Sequence, residues 1–513
     1  MTRRRAEPRC LAFALAASAA LAQAQQDGGR AAGGGLAVVS RLSVMQTWTD
    51  NLLLNDQNKD AALITTVSPG VSISSNSGRL RGSLDYSLNG IAYFKSAQPS
   101  QVQNALAANA QAELIDRTLF VDMRASIGQQ SASAFGLQST PTAGSQGSVS
   151  SLANVNQHET AMLSISPSLR GMLGGLATYD LRGDFNRIDV RGSSLGDSRG
   201  SGGSLRINQA NAGALGWWLQ ASTQQTKSVS APANRNSSLR AGLNYRPDPD
   251  WAFMASAGSE RSNYLGNSAS NGVTSGATAE WTPTMRTRLV ADWQHHSYGN
   301  SHALTFEHRM ARSVWRYSDT QSTVLGNTGS AGGVRSNYDL FFLLFASQEP
   351  DPVKRDTLVR AYLQSQGLSP DAILAGGFLS TGPSRLRSQQ LGVTLQGVRS
   401  SLSAQLSRSV SGRLGDNQNQ GDLANSSQVE QRSFSLSASY QLTPTSGLSL
   451  VASRQETQGD VASQSTHLSS LFANWNARLG TRLSAQLGAR RSRFEGVTSY
   501  TENSVYASLT QQF

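Results

Sequence analysis

From Leu80 onward every second residue is apolar or small: Leu80, Gly82, Leu84, Tyr86, Leu88, Gly90, Ala92 and Phe94. The residues between them are polar, among them Arg81, Ser83, Asp85, Ser87 and Asn89. Successive side chains of a strand point to opposite faces, so this spacing requires an extended segment with one apolar and one polar face. The pattern returns in pairs across tight turns. Leu119, Val121, Met123, Ala125 and Ile127 follow Asp116-Arg117; Leu391, Val393 and Leu395 meet Leu402, Ala404 and Leu406 across Arg399-Ser400. Leu471, Ala473, Trp475, Ala477 and Leu479 meet Leu483, Ala485, Leu487 and Ala489 across Gly480-Thr481. Turn chemistry also marks Asn76-Ser77-Gly78, Pro247 to Asp250, Pro283-Thr284 and Thr443 to Gly447. The chain is therefore read as all-β.

Short turns alternate with long polar stretches, Gly136–Asn156, Arg191–Gly203 and Gly412–Ser427. Short connections at one end and long loops at the other are how outer-membrane barrels are built. The alternating segments also meet the ~9–11 residues a tilted strand needs to cross hydrocarbon. Composition supports this. Only 38% of residues are hydrophobic and 15% charged, too little of either for a packed core or a charged disordered chain. A barrel in lipid needs no apolar core, because the bilayer covers its apolar face. Residues 38–513 are expected to form a single large antiparallel transmembrane β-barrel of about 22 strands, with roughly 18 to 24 compatible with the pattern. Trp217, Trp218, Trp251 and Trp281 sit next to short turns and are expected at the lipid–water boundary.

The N-terminus reads as an export signal. Basic residues up to Arg9 precede the apolar run Leu11–Leu21, which ends in Ala22-Gln23-Ala24. Residues 1–24 are assigned to a Sec signal peptide cleaved after Ala24, and residues 25–37 to a flexible lead-in. The expected destination is the outer membrane of a Gram-negative bacterium. The sole cysteine, Cys10, falls inside the leader, so no disulfide or cysteine metal site is expected. Beyond the leader the longest apolar run is Leu340–Ala346, too short to span a bilayer as a helix.

The net charge is +11, with four lysines among 44 basic residues. Apart from the leader and Arg490, Arg491 and Arg493, the basic residues are scattered, so a nucleic-acid partner is not expected. Several charged residues share the polar, lumen-facing side of strands: Arg81 with Asp85; Asp122 with Arg124; Asp180, Arg182 and Asp184; Arg288 with Asp292. Such rows can select a solute or neutralise one another in a wet lumen. A barrel hydrolase would need a nucleophile or metal constellation. The nearest approach is His295, His296, His302 and His308, where Glu307 points to the opposite face from its neighbour His308. No enzyme activity, catalytic residue, metal or cofactor is expected.

One segment breaks the alternation. Residues 330–385 hold the apolar run with Phe341, Phe342 and Phe345, then Pro350-Asp351-Pro352 as a helix start, then a stripe of Leu358, Val359, Tyr362 and Leu363. A short helical insert near 338–380, in a long extracellular loop, is expected. Its aromatic residues must be covered, either by packing inside the barrel as a plug or by docking a partner. Phe341, Phe342, Phe345, Leu358 and Tyr362 are the candidates for that role.

The chain ends in Val505, Ala507, Leu509, Gln511 and Phe513. A terminal Phe on an apolar strand face, with Leu509, resembles the signal read by the barrel assembly machinery; Gln511 stands where that signal usually has an aromatic. Trp48-Thr49-Asp50-Asn51, Val67-Ser68-Pro69-Gly70, Gly78-Arg79, Leu84-Asp85-Tyr86-Ser87, Ala112-Glu113-Leu114 and Pro350-Asp351-Pro352 with Arg355 occur in that order. This order resembles the PEP-CTERM-system-associated outer-membrane protein family, related to barrel porins of exopolysaccharide operons. The resemblance implies a porin-like barrel associated with exopolysaccharide production or export and with the PEP-CTERM system. Its implied partners are outer-membrane lipid, the barrel assembly machinery, and exopolysaccharide or its export components. It offers no catalytic residues. A structural or docking protein without transport is the second expectation.

Overall fold

The computed structural model describes residues 36–139, 152–325 apart from positions 194, 212, 230 and 267, 337–345, 355, 358–359, 377–415 and 420–513. The leader and Tyr362 lie outside them.

Twenty-two strands close one antiparallel sheet on itself. The first half is β1 Leu36–Thr49, β2 Ala62–Asn76, β3 Leu80–Phe94, β4 Gln101–Ile115, β5 Leu119–Ser131, β6 Gln157–Leu173, β7 Ala177–Val190, β8 Ser198–Gln209, β9 Leu215–Ser228, β10 Ala231–Asp248, β11 Trp251–Ser262 and β12 Ser270–Thr284. The wall continues with β13 Thr287–His296, β14 Gly299–Arg309, β15 Ser313–Leu325, β17 Pro383–Gln396 and β18 Ser400–Arg413. It ends with β20 Gln428–Thr443, β21 Ser446–Gln458, β22 Ser465–Arg478, β23 Leu483–Glu495 and β24 Tyr500–Gln512. Each wall strand pairs with its chain neighbour. β24 pairs with β1, from Arg41 opposite Gln512 to Thr49 opposite Ser504, and shuts the barrel. Two remaining strands, β16 Ser380–Thr381 and β19 Gln420–Gly421, form a separate two-residue ladder.

The connections sort by end. Those on the side of both strand termini run from two residues (249–250, 285–286, 444–445) to five (210–214). In the 174–176 turn Gly174 and Gly175 adopt φ of +56° and +75°, which only glycine takes without strain. At the other end stand the long loops 50–61, 132–156 and 414–427, and the 326–382 insert between β15 and β17.

The two wall faces differ as the alternation requires. On β20, Phe434, Leu436, Tyr440 and Leu442 are exposed outward while Ser433, Ser435, Ser437 and Ser439 are buried inward. Leu402 and Leu406 on β18, Leu448 and Leu450 on β21, and Val505 and Leu509 on β24 continue the exposed band. On β20 the band from Phe434 to Leu442 measures about 20 Å along the barrel axis, from ~3.3 Å rise per residue and ~40° tilt. No helix among the described residues is long and apolar enough to cross a membrane.

Three sequence readings are corrected. Ser198–Gly203 belongs to β8 and not to a loop; its Gly and Ser have low strand propensity, but the ladder to β7 and β9 holds the backbone extended. The turn after β12 falls at Met285-Arg286, beyond Pro283-Thr284. Trp218 faces the lumen, buried with the Arg206 guanidinium 4.7 Å from its ring centre, whereas Trp217 is exposed outward. Adjacent residues of one strand cannot share a face.

Candidate functional site: the lumen and the insert

Closing 22 strands spaced ~4.8 Å at ~40° tilt gives a wall about 40 Å across, far wider than side chains can fill. What stands inside therefore decides what the barrel can do.

The insert enters that space. Helix α1, Asn337–Leu344, continues the apolar run. Phe341 (0% exposed), Leu344, Phe345 and Val359 are buried against Val314, with Phe342, Leu343 and Val451 packed around them. Val314 is the second residue of β15, close to the short-turn end, although the insert leaves the wall at the opposite end. Val451 lies on β21, four strands further round. The cluster therefore reaches down the lumen and across part of it. Phe341 and Phe345 lie 6.3 Å apart between ring centres, and the Arg355 guanidinium sits 4.6 Å from the Phe342 ring centre, a cation–π contact. Leu358 is 38% exposed.

A second apolar cluster lies at the long-loop end. Leu52 and Leu54 of the first loop are buried against Ile64, Ile91, Tyr93, Leu468, Phe494 and Tyr500. Beside it, the 132–139 segment, the return of the insert and the 414–427 loop are knitted together. Phe378, Leu423, Val429 and Ala134 share a core, and Leu379 N donates to Ser131 O at 3.2 Å. Asp422, which opens helix α2 (Asp422–Asn425), accepts from Ser133 Oγ at 2.7 Å and Ala134 N at 2.6 Å. Burial raises its pKa above the ordinary carboxylate value, against the opposing pull of those two bonds.

The charged candidates occupy the inner wall; of the groupings read on single strands Arg182 with Asp184 forms a pair, and the others find different partners. Asp85 takes a two-pronged contact from Arg41, Nη1 at 2.8 Å and Nη2 at 2.7 Å, while Arg81 has no ion pair among the described residues. Asp122 joins Arg182 at 3.5 Å and not Arg124. Arg182 also holds Asp184 at 3.0 Å, and Arg170 holds Asp180 at 2.9 Å. Arg288 bonds Glu280 at 2.8 Å, and Asp292 instead accepts from Thr278 Oγ1 at 2.6 Å and Gln294 Nε2 at 3.2 Å. A strand carries its own alternation but not its register to a neighbour, so these cross-strand choices were hidden in the sequence.

Other inward groups went unrecognised. Glu502 and Arg490 are buried and joined by two bonds of 2.9 and 3.1 Å, with Thr49 Oγ1 donating to Glu502 at 3.0 Å. His296 meets Glu260 at 2.9 Å. His295 and His302 face outward on β13 and β14, His302 within 3.3 Å of Asp319. Among the described residues no three His, Cys, Asp or Glu side chains gather to hold a metal. At the C-terminus, Leu509 and Phe513 are exposed and Phe513 N donates to Ser40 O at 2.9 Å.

An even-numbered closed barrel, with short turns at the end that holds both strand termini, long loops at the other and an apolar outer face, defines an outer-membrane β-barrel. No protein-family model and no curated protein matches the sequence. Among solved structures the chain is similar to the FrpB iron transporter of Neisseria meningitidis, at 10% identity over 96% of this chain and 83% of that one, TM-score 0.47. It is also similar to the ferric enterobactin receptor PfeA of Pseudomonas aeruginosa, at 12% identity over 94% and 82%, TM-score 0.47. A third is the ferric-catecholate import receptor Fiu of E. coli K12, at 9% identity over 92% and 82%, TM-score 0.46. At such identities, what those receptors bind does not transfer to this chain.

Proposed function

We propose that this protein is a porin-like outer-membrane barrel that passes, or helps to pass, a polar solute or polymer, and that the insert between β15 and β17, which ends before Pro383 and not at 385, is its plug. The burial of Phe341 and Phe345 against Val314 carries this reading. An aromatic cluster inside a wall of Ser, Asn and charged residues costs free energy unless it closes on itself, and closing on itself constricts the lumen. The path then runs along the arc from β5 to β14. That arc carries Asp122, Arg124, Asp180, Arg182, Asp184, Arg288 and Asp292, and none of the buried apolar clusters there includes a wall residue. Arg81 and Asp85 stand beside it. The association with exopolysaccharide production or export and with the PEP-CTERM system rests on the Trp48–Asn51 to Arg355 series of motifs. Sec export, and recognition of Leu509 and Phe513 by the barrel assembly machinery, complete the proposal.

Conductance in planar bilayers tests it. The intact protein should show small or rare openings, and deletion of 338–380 should give a large steady conductance. Phe341→Ala with Phe345→Ala should raise the conductance while leaving the unfolding midpoint of the barrel within a small margin of the parent. No conductance from the deletion protein would overturn the channel reading. A docking role for these aromatics is not favoured, since Phe341 and Phe345 present no apolar face outward.

A further inference from the structure

On the outer wall of five consecutive strands, β7 to β11, one exposed cation stands near the long-loop end of each: Arg187, Arg199, Lys227, Arg235 and Arg261. Alternation puts them on the same face as the exposed Phe185, Leu205, Leu219, Leu239 and Phe253, so they crown the apolar band. The register sets them side by side. Arg187 opposes Arg199, and Arg199 opposes Lys227. Arg235, opposite Gln225, lies diagonally from Lys227; Arg261, opposite Ser237, lies diagonally from Arg235. Directly opposed Cβ atoms are about 5 Å apart and diagonal neighbours about 7–8 Å, and like charges at these separations repel.

One acid on this face is in direct contact with the row, and Asp197 of the adjoining connection acts on Arg187 through space. Asp189 is engaged by Arg187 at 2.6 and 3.0 Å, and among the described residues the other four cations make no ion pair. The opposite sector differs at the same height. There Arg387 meets Asp319 at 2.7 Å, Arg408 and Arg432 share Glu430 at 2.7 and 2.6 Å, and Arg493 meets Glu495 at 2.7 Å. The connections beside the unpaired row are short, 191–197, 229–230 and 263–269. Toward the short-turn end of the same wall, a separate hollow of about 560 Å³ opens over Ala255, Ala277, Ala279 and Ala291, between Leu243 and Trp293.

A row of adjacent cations that the protein leaves unneutralised, directly above a surface built for acyl chains, calls for a multivalent anion joined to those chains. We infer that β7–β11 form a docking face for a phosphorylated glycolipid of the outer leaflet, with its phosphates on Arg199, Lys227, Arg235 and Arg261 and its chains along Leu219, Leu239 and Phe253. This rests on the membrane-spanning reading but not on transport, because the lumen plays no part in it.

The test is retention of lipid A bisphosphate by the purified full-length barrel in detergent, read by native mass spectrometry, against lipid A stripped of phosphate. The parent should hold the phosphorylated form. The variant carrying Arg199→Gln, Lys227→Gln, Arg235→Gln and Arg261→Gln should lose at least about tenfold in retention, with heat-modifiable gel mobility confirming a folded barrel. A second variant, Arg387→Gln with Arg408→Gln and Arg432→Gln in the paired sector, should retain it. Equal retention by parent and first variant, equal retention of the dephosphorylated lipid, or preferential capture of an acidic polysaccharide by the row would overturn the inference. Conductance is untouched by any of these results.

Discussion

Replacing Glu502 by Ala should be among the most damaging single changes to the barrel wall. Glu502 is fully buried on β24, Arg490 on β23 is 5% exposed, and Thr49 is the last residue of β1. Their three bonds, at 2.9, 3.1 and 3.0 Å, tie the last two strands to the first at the long-loop end of the closing seam. Removing the carboxylate takes from a buried guanidinium the acid it is paired with, which costs about 3–5 kcal/mol, or between two and four decades in the folded-to-unfolded ratio. Thr49→Val removes one donor to a charged acceptor and should cost about 1.5–3 kcal/mol. The double variant Arg490→Met with Glu502→Leu removes both charges and fills the space, so it should recover most of the loss.

The assay is denaturant unfolding from lipid vesicles, followed by the loss of heat-modifiable mobility, on all three variants. A penalty below about 1 kcal/mol for Glu502→Ala would mean that water reaches the site and screens the pair. A double variant no better than the single one would mean that packing shape, and not the unpaired charge, sets the cost. Either result refutes the reasoning.

Asp422 gives a pH dependence. Its pKa is raised by burial in the folded cap, so the folded state binds the extra proton, and the cap's stability falls as pH rises from about 4 through the raised value. Limited proteolysis of the 132–139 segment should accelerate over that range, and Asp422→Asn should flatten the response; an unchanged response in the variant would assign it elsewhere. Deleting Phe513 removes an exposed side chain and one backbone bond to Ser40. Stability of refolded protein should change by no more than about 0.5 kcal/mol, while the fraction assembled in the outer membrane of cells falls sharply. A parallel fall in both would make the residue structural.

The approximate strand count, and the facing of the strands with strict alternation, were legible in the sequence because lipid and lumen impose opposite chemistry on alternate residues. The alternation failed where residues lack contrast, as in the Ser198–Gly203 stretch, or where an aromatic belongs to the inner face, as Trp218 does. The lumenal pairs were legible only one strand at a time. Asp85 finds Arg41 and Asp122 finds Arg182 through register, a property of the closed sheet and not of either segment. Covering the Phe341–Phe345 run was a necessity visible in its composition; that Val314 near the short-turn end should cover it was not.

That placement follows a rule the wall itself states. Inward positions of a water-filled barrel are polar, so an apolar inward residue marks a place where something else covers the wall. Ile64, Ile91, Leu468 and Phe494 stand inward at the long-loop end, beneath Leu52 and Leu54 of the first loop. Val314 and Val451 stand inward deeper down, against the insert. Between these two islands, and around the arc from β5 to β14, the inner wall is mostly charge and amide, with the inward Trp218 covered by the Arg206 guanidinium. Four ion pairs there, at 2.8–3.5 Å, are partly exposed, while His296 and Glu260 pair in a buried position. Such pairs contribute little to folding, about 0–1 kcal/mol each, so stability alone does not account for rows of them. The proposed channel accounts for them: a lumen filled with water along that side would dissolve charges that a dry one would forbid, and the apolar islands fall on the side where the chain folds inward.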